Sequence, residues 1–157
     1  MNASENALAE LSEKVKIDQD NLHVEIITQT NDYYHAATGF AMAVSLRDEA
    51  KNNLEIAEAE LYLTFRREAV DKITEAQLDA MIKANEIRQE FFEKYLSAKQ
   101  LSDRWLSLRD SFTQKGHALR ELAELYKMNY FGERRITATG EMETWVRNRA
   151  AGKNDNG

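Results

Sequence analysis

Residues 20–70 read DNLHVEIITQTNDYYHAATGFAMAVSLRDEAKNNLEIAEAELYLTFRREAV, with no convincing helix stop among them. Ile26, Tyr33, Phe40, Leu54 and Leu61 fall on one heptad position, and Thr30, Ala37, Val44 and Phe65 on a companion position. A period of 3.5 residues is the signature of a helix that lies along another helix. Arg47, Lys51 and Glu58 put charge into that seam. Such positions fix register or mark where a helix leaves its partner. Gly39 is a lone helix glycine, worse than alanine by about 1 kcal/mol. Close approach by another helix is the expected compensation. The stretch predicts one uninterrupted helix, far longer than the usual ~11–12 residues.

The rest of the chain is consistent with this. It contains no proline in 157 residues, and proline is the commonest cause of helix breaks and kinks. A second long helix is predicted over residues 86–130. Its seam is Ile87, Phe91, Ala98, Leu101, Trp105, Leu108, Phe112, Leu119, Leu122 and Tyr126, with Gly132 as C-cap. A short amphipathic helix is predicted over residues 3–16, with Leu8, Leu11 and Val15 on one stripe. It ends at Ile17-Asp18-Gln19-Asp20, where Asp20 stands as a fresh N-cap. Thr74-Glu75-Ala76-Gln77 is a capping box that opens another short helix through Leu78, Met81 and Ile82. Asn85 is compatible with a bend or with none.

The expected fold class is therefore all-α: an elongated antiparallel hairpin of two long helices with short flanking helices, assembling into an oligomer. Residues 1–132 form the helical hairpin domain, and residues 133–157 a flexible C-terminal tail. Trp105, Leu108 and Phe112 read first as core side chains. Apolar residues overflow the seam, however: Ile27, Tyr34, Tyr62, Phe92, Tyr95 and Tyr130 lie beside it. Two helices alone bury one stripe each, so the overflow predicts burial against the short helices and against another subunit. Trp105, Leu108, Phe112, Leu119 and Leu122 are the residues expected to carry that oligomerisation.

Composition narrows the function classes. The chain has no cysteine, which excludes disulfides, thiolate metal sites and cysteine nucleophiles. Its first residues carry neither a basic n-region nor an apolar h-region, so no signal peptide is expected. No apolar run approaches a membrane span of ~20 residues. The expected location is cytoplasmic. The formal net charge of −6 argues against polyanion binding by the whole surface, while leaving room for a local basic patch.

No motif for nucleotide-dependent or hydrolytic catalysis is present. Asp20-x-x-His23 and Asp32-x-x-His35 superficially resemble the Glu-x-x-His pairs of di-metal bundles. Both lie on one helix, so coincidence on a helix surface is the simpler reading. Neither an enzyme, a metal site nor a cofactor is expected. Arg66 and Arg67, followed by Lys72, close the first long helix. Cations there complement the helix dipole. The alternative is contact with phosphate, with Tyr62 and Phe65 near enough for base stacking. Arg134 and Arg135 are a second basic pair, and Trp145 is either a docking element or the end of a frayed helix.

The order of segments resembles the UvsY-type recombination mediators of T-even-like bacteriophages. The resemblance covers residues 8–132. It rests on the turn Lys16-Ile17-Asp18-Gln19-Asp20-Asn21-Leu22, on Tyr33-Tyr34-His35 early in a long helix, and on Leu54 through Arg67 late in it. It continues through Thr74-Glu75-Ala76-Gln77 and closes on Trp105-Leu106-Ser107-Leu108, Asp110-Ser111-Phe112, Lys115-Gly116-His117-Ala118-Leu119 and Leu122. It implies a ring-like homo-oligomer without catalytic activity that binds single-stranded DNA, helps displace single-strand-binding protein and loads a recombinase. The family places a Lys-x-Arg pair near the end of the first long helix. The matching stretch here is Ala57-Glu58-Ala59-Glu60-Leu61-Tyr62, with carboxylates in place of cations. Arg66, Arg67 and Lys72 are then the residues expected to meet DNA. The competing class is a coiled-coil scaffold or phage assembly factor without DNA binding.

Overall fold

The computed structural model describes residues 3–69 and 73–128. Helices account for 92% of the described residues, and no strand occurs among them. Four α-helices follow one another: α1 (Ala3–Glu13), α2 (Leu22–Glu68), α3 (Glu75–Ala84) and α4 (Glu86–Lys127). Gly132, Arg134, Arg135, Trp145 and the rest of the expected tail lie outside the described residues. The chain divides into two compact units, Met1–Lys115 and Gly116–Gly157.

Each break has a local cause. Between α1 and α2 stands a single 3-10 turn, Gln19–Asn21, capped by Asp18, and the N-cap of α2 is Asn21 rather than the expected Asp20. The Asp18 carboxylate accepts from the Asn21 side chain at 2.8 Å and from the Asp20 backbone N–H at 3.0 Å. Those two hydrogen bonds, the Asn21 one foremost, hold its carboxyl below the usual range. Thr74 and Gln77 form the expected reciprocal capping box at the start of α3. Asn85 is a true break: its backbone is extended, and its side chain accepts from the Ile87 backbone N–H at 2.9 Å, opening α4.

Within the first unit, α4 runs antiparallel to α2. Arg88 of α4 pairs with Glu58 at 2.9 Å. The Arg109 guanidinium lies 4.7 Å from the centre of the Phe40 ring. The Gln29 side-chain amide donates to the Phe112 carbonyl at 2.6 Å. Partner numbers fall along α2 as they rise along α4, as an antiparallel pair requires.

The heptad phase of α2 needs one correction. Position Phe40–Leu54–Leu61 is in the seam, but its buried companion is Ala36, Ala43 and Ala57, not Ala37, Val44 and Phe65. Ile26, Thr30 and Tyr33, also expected in the seam, are not buried in it, and Ile87 and Tyr126 on α4 are exposed. The cause is size matching. Small residues on α2 face Trp105, Leu108 and Phe112 on α4, so the closest approach occurs where α2 has least side chain. Leu8 from α1 completes this core, with Leu11, Val15, Phe40 and Leu101 around it. A second core joins Leu61 to Leu78 and Ile82 of α3, flanked by Phe65 and Ile73.

Candidate nucleic-acid interface

The basic end of α2 is built by the fold of α3. Ala69 takes an extended backbone and ends the helix, its N–H still reaching the Phe65 carbonyl at 3.1 Å. The chain then returns so that Leu78 and Ile82 cover Leu61. That return brings Glu75, in the first turn of α3, within 3.3 Å of the Arg66 guanidinium. Arg66 is thus drawn toward a carboxylate. Arg67 is exposed and makes no ion pair or hydrogen bond among the described residues. Exposed Tyr62 and Leu63 stand one turn before Arg66 and Arg67. Lys72 lies outside the described residues, so the three expected DNA contacts are not seen together.

Glu58 and Glu60, one helical turn and more before Arg66, have different surroundings. Glu58 is half-buried and holds Arg88 of α4, whose guanidinium also lies 4.6 Å from the centre of the Phe92 ring. The charge at 58 thus serves the packing of α2 on α4. Glu60 is exposed. The end of α2 offers an anion one accessible guanidinium, a second that is already paired, and an aromatic ring. It also offers repulsion from Glu60 and Glu68.

The residues expected to carry oligomerisation are buried or half-buried within the single chain. Trp105, Leu108 and Phe112 are buried in the core of the first unit. Leu119 is buried and Leu122 half-buried. Trp105, Leu108 and Phe112 therefore hold one chain together and leave no apolar surface for a second.

Sequence reasoning missed a charged cluster under the α1–α2 turn. A cleft of about 500 Å³ there is lined by Lys14, Asp18, Glu25, Asp32 and Lys115 among others. Lys115 is almost fully buried, donates to the Lys14 carbonyl and pairs with Glu25, both at 2.5 Å. Asp32 is buried and meets Lys14 at 3.2 Å. Burial pushes the Glu25 carboxyl up, but the hydrogen bonds from Lys115 and from the Asp18 backbone N–H outweigh it and hold Glu25 below its usual range. The signal in the sequence was only a lysine, Lys115, on a helix face otherwise apolar. Asp32, from the Asp32-x-x-His35 spacing read as coincidence, is engaged by Lys14. Among the described residues no group of three or more His, Asp or Glu is placed to hold a metal ion. Nor is any described helix long and apolar enough to cross a membrane.

Comparison of the chain with protein-family models, with curated proteins and with solved structures finds no match to any of them.

Proposed function

We propose that this chain is a non-enzymatic recombination mediator that works as a homo-oligomer in the cytoplasm. In this reading it binds single-stranded DNA and helps load a recombinase onto DNA covered by single-strand-binding protein. The observation that supports it best is the exposed Arg67, without an acidic partner among the described residues, beside Arg66 and one turn beyond Tyr62 and Leu63. A cation next to an aromatic face is what a single strand needs: charge for phosphate and a ring for a base. One protomer is a poor ligand, because its net charge is −6. Repetition in an oligomer supplies the affinity.

The test is a titration of a fluorescent oligothymidylate at several salt concentrations. The logarithm of the binding constant should fall by about 0.7 per phosphate neutralised for each unit of log salt. Arg66→Glu with Arg67→Glu should weaken binding and flatten that slope, leaving helicity and particle mass unchanged. An absence of binding at ~50 mM salt, where such contacts are strongest, rejects the reading.

A second reading, a helical scaffold or assembly factor without DNA affinity, is favoured by one observation. The carboxylates Glu58 and Glu60 stand where the resembling family has cations, and Glu58 is engaged with Arg88. The same titration separates the two.

A further inference from the structure

Four large apolar side chains of α2 stand exposed on the face opposite its core. Ile27 is 75% exposed, Tyr34 65%, Leu63 60% and Ile56 49%. At 100° per residue these four fall in a sector of about 40°, and the buried Ala36, Ala43, Leu54 and Leu61 fall diametrically across the helix. A helix apolar on two opposite faces is built to be covered on both. α4 covers one of them.

We propose that the outer face of α2 packs antiparallel against the same face of a second copy of this chain, about a two-fold axis passing at Ser45. This rests on the homo-oligomer part of the reading above and not on DNA binding. The order of residue types along that face carries it. The outer line runs Ile27, Tyr34, Thr38, Ser45, Asn52, Ile56, Leu63, in steps of seven, four, seven, seven, four and seven. By type it reads the same from either end, two apolar residues, three polar and two apolar. An isologous contact requires such a surface, because each residue meets its mirror position on the partner. Here the axis sets Ile27 against the second copy's Leu63 and Tyr34 against its Ile56. It sets Thr38 against Asn52, hydroxyl to amide, and Ser45 against itself. A shift of register places the apolar ends on the polar middle, and polar seam positions of this kind select one register. A parallel pair would instead stack Asn52 on Asn52 and separate Tyr34 from Ile56.

The area is sufficient. The line spans ten helical turns, about 54 Å, on a helix about 10 Å wide. That footprint, counted on both copies, is on the order of 1,100 Å², just above the ~1,000 Å² that a specific interface needs.

The experiment uses the absence of native cysteine. With packed helices 8–10 Å apart, two Cα atoms on the axis lie about 3.5–5.5 Å from each other, overlapping the range of a disulfide. The full chain carrying Ser45→Cys should therefore cross-link to a covalent dimer under mild oxidation. Ile27→Cys alone and Leu63→Cys alone should stay single, whereas a mixture of the two should give the mixed dimer. Tyr34→Glu with Ile56→Glu should keep its circular dichroism and lower its mass in light scattering. Cross-linking of Ile27→Cys by itself overturns the antiparallel register. A monomer at tens of micromolar, or an unchanged mass in the glutamate variant, overturns the interface. Loss of DNA binding in a chain that still cross-links at position 45 would remove the mediator reading and leave this interface standing.

Discussion

The six-membered ring of Trp105 occupies the space where a side chain on Gly39 would be. A Cβ built there falls within 3.0 Å of three indole carbons. Glycine at 39 is thus the condition for the Trp105 side chain of α4 to lie flat on α2. The indole N–H in turn donates to the Ser4 hydroxyl at 3.1 Å, tying α1 to the same point. Gly39→Ala on an ordinary helix surface would stabilise by about 1 kcal/mol. Here overpacking of about 1–3 kcal/mol opposes it, so the net effect should be destabilising. Trp105→Ala should lower stability by about 3–5 kcal/mol. Urea unfolding of both variants checks the two signs.

The ion pair between buried Lys115 and half-buried Glu25 makes folding sensitive to acid. The Glu25 carboxyl is held below its ordinary value of 4.5 in the folded chain. Its contribution is therefore fully present above that value and disappears as pH falls through the lower, folded one. Urea midpoints measured from pH 7 to pH 3 should drop below about pH 4.5 more steeply in the parent than in Glu25→Gln. Lys115→Met leaves the Glu25 carboxylate without its cation, though still bonded to the Asp18 N–H, and should cost about 1–3 kcal/mol. Adding Glu25→Gln to Lys115→Met should recover part of that loss.

The α3 return is held by its cap and by Leu78 and Ile82. Thr74→Ala removes the side chain that accepts from the Gln77 backbone N–H, and should cost about 1 kcal/mol. Leu78 is fully buried against Leu61, so Leu78→Ala should cost about 2–5 kcal/mol. Hydrogen exchange should show loss of protection first in Glu75–Ala84.

Arg66 and Arg67 should matter little to stability. The Arg66–Glu75 pair is exposed, and such pairs are worth less than about 1 kcal/mol. Arg66→Ala and Arg67→Ala should each shift the urea midpoint slightly. If both residues meet DNA, each substitution should flatten the salt slope of binding by about 0.7, the share of one phosphate left unneutralised.

The sequence by itself determined the helices and placed most of their ends to within a few residues. Without proline, residues 22–68 had no reason to break, and the Thr74/Gln77 spacing announced α3 because capping is decided within one turn. Leu8 and Leu11 marked the inner side of α1 for the same local reason, and Val15 just beyond it packs on the same core. Only the tertiary structure decided which face of α2 is the core. Heptad periodicity favours large apolar residues, and it points to Ala37 and Val44 where the fold uses Ala36 and Ala43 to admit Trp105. The tertiary structure also decided the fate of charge: Lys115 finds Glu25, Asp32 finds Lys14, and Glu58 finds Arg88, each from a distant part of the chain. Partners so far apart in sequence leave no periodic trace, because nothing local requires them until the helices are packed.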